Sequence, residues 1–253
     1  MKIDINCDMG ESFGVYRIGE DEKIIRYVSS ANIACGFHAG DPQVIERTIA
    51  LAKSNGVAVG AHPGYPDLIG FGRRNLETFP GEIRSLVLYQ IGAFSAFARA
   101  AGCEIQHVKP HGALYNHAAK NEAAAAEIID AVKSFDPDLV LYALAGSLCA
   151  EMALDAGLKV AQEAFPDRAY TRDGRLASRK LEGGLIRDPQ KIRERVLRMA
   201  KTGKIISIEG EEISVRADTL CVHGDTPGAW ELAKAIRDSL EEAGVEVSPI
   251  GRR

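Results

Sequence analysis

Residues 31–62 read ANIACGFHAGDPQVIERTIALAKSNGVAVGAH, and this stretch contains one complete strand–helix–strand unit. Its first six and last six residues are short runs of small and apolar residues, as in buried strands. The segment 41–56 begins with Asp41 as N-cap and Pro42 at the first helical position, and it ends at a glycine. This order predicts that the two strands pair in parallel, because the helix carries the chain back to the edge where the first strand began.

The same alternation continues along the chain. The candidate strands are 2–8, 31–36, 57–62, 104–109, 139–144, 159–164 and 219–224. The helical stretches are 41–56, 80–102, 121–135, 146–157, 188–203 and 226–244. Strands that alternate with helices predict an α/β fold, and we expect a TIM-like (β/α) barrel with seven main parallel strands. An open, doubly wound sheet is the alternative with the same order of elements.

Two further segments and the length complete the expected architecture. Residues 206–215 predict a small hairpin near 205–216, just before the seventh strand, and 245–250 is either an eighth strand or a tail. The 253 residues suit one α/β barrel, and the sequence contains no linker, repeat or low-complexity segment. We therefore expect one domain over 1–253.

Composition and charge exclude several classes of protein. The net charge is −4, with acids and bases mixed along the chain, so neither nucleic acid nor a membrane surface is an expected partner. No apolar run approaches the roughly 18 residues of a membrane span, and the first ten residues lack the pattern of a signal peptide. The five cysteines are odd in number and form no CxxC pair, which favours a reducing cytoplasm.

Side-chain alternation places most polar strand residues on one face. Alternate residues of a strand point to opposite sides, so Asp4, Asn6 and Asp8 share a face of the first strand. The same rule groups Asn32, Ala34, Gly36 and His38; Ala58, Gly60 and His62; His107, Lys109 and His111; Ala161 and Glu163; and Thr219, Cys221, His223 and Asp225. Five of the six histidines therefore share one inferred interior. We expect a common site at the carboxyl ends of the strands, where (β/α) barrels place their chemistry.

The polar set is compatible with two kinds of chemistry. Carboxylate and imidazole groups suit a divalent metal that activates water, and Asp8, His38 and His62 are the candidate ligands if one is present. The alternative is acid–base chemistry without a metal, in which Lys109 stabilises a developing oxyanion or a phosphate. No HExxH pattern or other local ligand pair decides between them.

Two long loops are expected to cover this site. Residues 62–75 are rich in glycine and proline and carry Arg73 and Arg74, whereas residues 165–184 carry several arginines, including Arg168 shortly after Glu163. Arginine binds carboxylate and phosphate groups through two parallel hydrogen bonds, so a small anionic substrate is the expected ligand. Neither a P-loop nor a GxGxxG motif is present.

Six motifs in this order resemble the LamB/YcsF family. They are DINCDMGESFG (4–14), SANIACGFHAGDP (30–42), GAHPGYPD (60–67), HVKPHGALYN (107–116), FPDRAY (165–170) and CVHGDTPGA (221–229), and they span almost the whole chain. The resemblance implies a seven-stranded barrel related to those of glycoside hydrolases and carbohydrate deacetylases. It also implies opening of the 5-oxoproline (pyroglutamate) lactam to L-glutamate, coupled to ATP hydrolysis. The chain would act as the A subunit of that 5-oxoprolinase, with separate subunits B and C as partners.

This chemistry requires a base for water, an acid for the ring nitrogen, and cations around phosphate. We expect Asp8 or Glu11 as the base and His111 or His223 as the acid, with Lys109 stabilising charge and Arg168 holding the substrate carboxylate. The candidate catalytic residues are Asp8, Glu11, Lys109, His111, His223 and Asp225. The candidate substrate-binding residues are Asn6, His38, His62, Glu163 and Arg168.

Three points are left open by the sequence. The subunit that binds the ATP consumed by the complex is not indicated, and neither is the state of assembly, so a homo-oligomer is compatible. Two rival functions share the same barrel. One is a stand-alone metal-dependent carbohydrate deacetylase, and the other is a non-catalytic subunit that binds 5-oxoproline and passes it to partners.

Overall fold

The computed structural model of the chain describes residues 1–178, 180–222, 224 and 228–251. The strands are β1 (Lys2–Met9), β2 (Ser30–Ala34), β3 (Ala58–His62), β4 (Ile105–Val108), β5 (Val140–Leu144), β6 (Lys159–Ala164), β7 (Lys204–Ile206), β8 (Glu212–Ser214), β9 (Thr219–Val222) and β10 (Glu246–Val247). The helices are α1 (Asp21–Ile24), α2 (Pro42–Ser54), α3 (Glu82–Ala100), α4 (Gly112–Ala118), α5 (Glu122–Phe135), α6 (Leu148–Asp155), α7 (Pro189–Thr202) and α8 (Ala229–Glu242), with a 3₁₀ turn at Ile25–Tyr27.

Seven parallel strands of the described chain close into a barrel. The strands β1 to β6 pair in sequence, and β9 pairs with both β6 and β1. The pairing of β9 with β1 closes the sheet, so the predicted barrel is confirmed and the open doubly wound sheet is wrong. The predicted hairpin is also confirmed, since β7 and β8 pair antiparallel. Residues 245–250 contribute the two-residue strand β10, which pairs with the start of β1 outside the ring.

Helix boundaries follow the capping signals in the sequence. Asp41 accepts a hydrogen bond from the Val44 amide at 2.9 Å and caps α2. Asp188 caps α7 in the same way, and that helix ends at Gly203, which adopts the left-handed conformation. The short helices α1 and α4 were not predicted, because helices of four and seven residues are too short to show an apolar period. Within the described residues, no helix combines the length and the apolar character needed to cross a membrane.

The amino-terminal end of the barrel interior is filled by a polar cluster around Asp4. This fully buried carboxylate accepts hydrogen bonds from Ser29 at 2.6 Å, Ser30 at 2.8 Å, Tyr142 at 2.9 Å and Thr219 at 2.5 Å. Burial raises the pKa of Asp4, although the four hydroxyl donors act in the opposite direction. With this end of the barrel filled by side chains, space for a ligand remains at the carboxyl end.

Candidate functional site

The predicted alternation of side chains is realised in the register of the barrel. Asp8 lies beside Asn32, Asn32 beside Gly60, and Gly60 beside His107 on successive strands. On the other face of β1, Ile3 and the alternate residues after it belong to the apolar core. Side chains that are adjacent across parallel strands share a face, so the polar set points into one interior.

A small pocket of about 80 Å³ opens at the carboxyl end of the strands. Five predicted site residues line it: Asp8, His62, Lys109, His111 and Arg168. Tyr115, Phe165 and Leu176 provide an aromatic and aliphatic wall on one side. The pocket therefore combines fixed charges with an apolar wall, as binding sites for small polar molecules usually do.

Lys109 is a buried cation at the base of this pocket. Its Nζ lies 2.8 Å from Asp8 Oδ1, 2.8 Å from Glu163 Oε1 and 3.1 Å from Cys221 Sγ. Burial opposes the charged amine, but Asp8 and the other anionic neighbours outweigh it and raise the pKa of Lys109 well above its usual value. The ammonium group is therefore present at any physiological pH.

Asp8 connects Lys109 to the histidines. One of its oxygens accepts hydrogen bonds from Lys109 and from Asn32 Nδ2, each at 2.8 Å, and the other lies 3.4 Å from His62 Nε2. Burial alone would raise the pKa of Asp8, but its interactions with His62 and Lys109 hold it well below its usual range. Asp8 is thus an ionised carboxylate that faces the pocket at neutral pH.

Three histidines and a carboxylate meet beside Asp8. The group consists of Glu11, His38, His62 and His111, all buried, and one ligand atom of each lies within 4.8 Å of the others. The imidazole rings of His38 and His111 stack in parallel with centroids 3.8 Å apart. Burial lowers the pKa of His111 to about 3 and that of His38 well below its usual value, so both rings are neutral.

The loop between β3 and α3 covers the histidines. His111 Nε2 donates a hydrogen bond to the Phe71 carbonyl at 2.9 Å, and Phe71 is held at φ +53°. A Cβ at the neighbouring Gly72 would lie 2.7 Å from His38 Cβ and 2.8 Å from His111 Cδ2, so only glycine allows this close approach. Arg73 lines the pocket, as the prediction for this loop suggested. Arg74 instead forms an ion pair with Asp67 within the loop.

The remaining predicted residues lie behind the pocket lining or outside the described residues. Asn6 is fully buried: its Nδ2 donates to Thr219 Oγ1 at 2.7 Å, and its Oδ1 accepts from Asn32 at 2.7 Å and from Lys109 at 3.2 Å. These contacts position Lys109. Glu11, His38 and Glu163 are also buried and do not belong to the lining described above. His223 and Asp225 lie outside the described residues.

The structure also identifies residues that sequence reasoning did not select. Asn32 links Asp8, Asn6 and His107, whose Nε2 donates to Asn32 Oδ1 at 2.7 Å. Tyr115 lines the pocket from α4. Tyr115 follows His111 by four residues, a spacing that places two side chains on the same face of a helix. This spacing is the sequence signal that could have identified Tyr115 as a pocket residue. The second loop, 165–184, was expected to cover the site, and its Phe165, Arg168 and Leu176 do line the pocket.

The candidate metal ligands differ in part from the predicted set. The sequence suggested Asp8, His38 and His62, whereas the structure groups His38 and His62 with Glu11 and His111. Asp8 lies beside this group: one of its carboxylate oxygens is close to His62 Nε2, and the other pairs with Lys109. Glu11 and His111 were predicted to have acid–base roles and were not placed among the metal ligands. Strand alternation does not show which side chains meet across the barrel, so it could not group them with His38 and His62.

Comparison with known proteins reveals close relatives over the full length. The pattern of the LamB/YcsF family matches residues 3–253. A protein of Syntrophobacter fumaroxidans, named as the A subunit of 5-oxoprolinase, is 63% identical over 251 residues, 99% of each chain. The crystal structure of a lactam utilization protein from Thermus thermophilus superposes with a TM-score of 0.95 at 53% identity, covering 99% of this chain and 100% of the other.

A more distant structural neighbour shares the fold alone. It is a family 4 carbohydrate esterase from Streptomyces lividans, solved in complex with acetate. The TM-score is 0.50 at 11% identity, with 99% of this chain and 95% of the other covered. Barrels of this kind carry many different chemistries, so the likeness supports the architecture.

Proposed function

Because the chain belongs to the LamB/YcsF family, we propose that it is the A subunit of an ATP-dependent 5-oxoprolinase that opens the lactam of 5-oxoproline to L-glutamate. Relatives more than half identical to it are named as the A subunit of 5-oxoprolinase, and the solved relative is called a lactam utilization protein. These names support a hydrolase that acts on a lactam. The word "subunit" supports further chains in the active complex, which we take to be subunits B and C.

The observation that carries the proposal is the fixed cation–carboxylate pair of Lys109 and Asp8 at the base of the pocket. A five-membered lactam is a stable amide with a poor leaving group. Transfer of a phosphoryl group from ATP to the lactam oxygen releases ADP and makes the ring carbon electrophilic. Water then adds to that carbon, and the C–N bond breaks as the ring nitrogen gains a proton and leaves as the amine. A second water hydrolyses the resulting acyl phosphate to L-glutamate and phosphate. A permanent ammonium group stabilises the negative charge that develops on the oxygen and phosphate.

The proposed proton-transfer roles follow from position and charge. Asp8 is the better candidate base, because it lines the pocket and is ionised, whereas Glu11 lies behind the lining. His111 is a poor acid: its pKa is about 3, and its Nε2–H is donated to the Phe71 carbonyl. His223, which lies outside the described residues, therefore becomes the candidate acid.

Arg168 is proposed to hold the carboxylate of 5-oxoproline. It lines the pocket, and its Nη2 donates to the Ala177 carbonyl at 2.7 Å, which anchors the side chain against its own loop. We expect Arg168→Gln to raise KM for 5-oxoproline by about tenfold or more and to change kcat much less, because a charge-assisted hydrogen bond contributes about 1.5–3 kcal/mol. Steady-state kinetics of the reconstituted complex measure both constants.

Arg172 on the same loop is the matched control. Its side chain is 62% exposed and pairs with Glu211 at 3.3 Å, so Arg172→Gln is expected to leave KM unchanged. The inhibition constant of 2-pyrrolidone, the same lactam without a carboxylate, is expected to be equal in the wild type and in Arg168→Gln. A parallel loss of affinity for 2-pyrrolidone would show that Arg168 shapes the loop and does not bind the carboxylate.

The proposed function is tested by reconstitution. Glutamate release from 5-oxoproline and ATP is measured for this chain alone and for the chain with its two expected partner subunits. We expect turnover only in the full mixture. Robust turnover by the chain alone would refute the three-subunit proposal. The group of Glu11, His38, His62 and His111 favours one rival, a metal-dependent deacetylase, which predicts release of acetate from acetylated sugars without ATP or partners.

A further inference from the structure

Two backbone carbonyls determine where the protons of His62 and His111 lie. His62 Nδ1 is 2.7 Å from the Lys109 carbonyl, and His111 Nε2 is 2.9 Å from the Phe71 carbonyl. A carbonyl oxygen only accepts hydrogen bonds, so each of these nitrogens carries a hydrogen. In the neutral form of each ring, the other nitrogen then presents a lone pair.

Those two lone pairs face each other. His62 Nε2 and His111 Nδ1 are 2.9 Å apart and buried. Two acceptors at hydrogen-bond distance repel unless a positive species lies between or beside them. That species is either a proton shared by the pair or a cation bound by both nitrogens. The contact by itself allows both explanations.

His38 extends the requirement beyond the pair. His38 is buried, and within the described residues neither of its ring nitrogens makes a hydrogen bond, which is costly for polar atoms away from water. Its Nε2 lies 4.0 Å from Glu11 Oε1, and the same oxygen lies 3.8 Å from His111 Nδ1. A proton shared by His62 and His111 would not serve His38, whereas one cation can be bound by all four groups once the His38 ring turns out of its parallel stack on His111.

We propose that Glu11, His38, His62 and His111 form a binding site for one divalent cation of the zinc class. Ligands at about 2.0–2.2 Å from a tetrahedral ion are about 3.3–3.6 Å from one another. The observed separations of 2.9, 3.8 and 4.0 Å lie on both sides of that value. The carbonyl partners of His62 and His111 orient the rings as the outer partners of metal-binding histidines do.

The site adjoins the pocket through His62 and His111, which also line it. A bound ion would supply a Lewis acid next to Asp8. The use of this ion in lactam opening rests on the proposed function, whereas the binding itself does not. Glu11, placed behind the lining, would act as a ligand, and Asp8 would remain the carboxylate that faces the substrate.

The test is a direct measurement of metal binding by the full chain, expressed without a polyhistidine tag. The protein is stripped with a chelator, dialysed against Zn²⁺ and analysed by elemental mass spectrometry. We expect about one Zn²⁺ per chain for the wild type and at least about tenfold weaker binding for Glu11→Gln and for His38→Asn. Glu11→Gln retains the shape of the side chain, and circular dichroism confirms that each variant is folded.

His117→Asn is the control, because His117 lies outside the group and contacts Tyr65. It is expected to bind Zn²⁺ like the wild type. Failure of the folded wild type to bind Zn²⁺ would overturn the proposal. A proton shared by His62 and His111 would then be the remaining explanation of their close contact. Unchanged binding in both ligand variants would overturn it as well. Lactam opening by a metal-free complex would show that the ion takes no part in the reaction and would leave the proposed function intact. Binding of Zn²⁺ without lactam opening by the full complex would support the cation site and refute the proposed function.

Discussion

Lys109→Met is expected to abolish turnover of the reconstituted complex and to lower the free energy of unfolding of this chain by about 3–5 kcal/mol. The loss of turnover, at least about 100-fold, follows from removal of the cation that stabilises charge in the transition state. The loss of stability follows because the buried Glu163 and the partly buried Asp8, each 2.8 Å from Lys109 Nζ, would lose their countercharge. Denaturant unfolding and glutamate release measure the two effects separately.

A second substitution separates the structural role from the chemical one. Glu163 is fully buried, so Glu163→Gln removes the charge that Lys109→Met leaves unpaired. The double variant is expected to recover a large part of the lost stability without recovering turnover. Return of turnover together with stability would show that Lys109 serves the fold alone. Loss of turnover with unchanged binding of 5-oxoproline would argue against a purely substrate-carrying subunit.

Gly60→Ala is expected to lower the free energy of unfolding by about 3 kcal/mol, although the change adds a single methyl group. A Cβ at this position in β3 would overlap the imidazole of His107 on the neighbouring strand. That ring cannot move aside, because its Nε2 is bonded to Asn32 at 2.7 Å and its face stacks on Tyr142 at 4.1 Å between centroids. Thermal or denaturant unfolding measures the change.

Gly92→Ala is the matched control in the same chain. Gly92 lies inside α3, and a Cβ there has no neighbouring atom within 4 Å among the described residues. Alanine is the better helix former, so this variant is expected to be more stable by about 0.5–1 kcal/mol. In a His107→Ala background, Gly60→Ala should cost less than about 1 kcal/mol. Equal effects of Gly60→Ala with and without His107 would contradict the proposed overlap.

Much of the barrel could be predicted because its signals are local. Each strand is a short apolar run, and Asp41 and Asp188 start their helices through bonds to amides two or three residues away. The closing contact between β1 and β9 is different in kind. It joins residues such as Asp4 and Thr219, which are 215 positions apart, and no local pattern distinguishes it from an open edge.

The candidate site could also be predicted only in part from local patterns. Strand alternation alone placed Asp8, His62, Lys109 and His111 on one face, and these side chains do line one pocket. It did not separate them from Asn6, which shares that face but lies deeper and supports Lys109. Depth depends on the stagger of the strands around the barrel, and alternation carries no information about stagger.

The sequence by itself determined which segments form the barrel strands, where most helices begin, and which polar strand residues face the interior. Each of these features depends on near neighbours in the chain. Only the tertiary structure decided that Glu11 and His111 meet His38 and His62, and that Lys109 lies between Asp8 and Glu163. These groups come from different strands and loops. Their separations depend on barrel closure, strand register and loop packing, which the whole chain sets together.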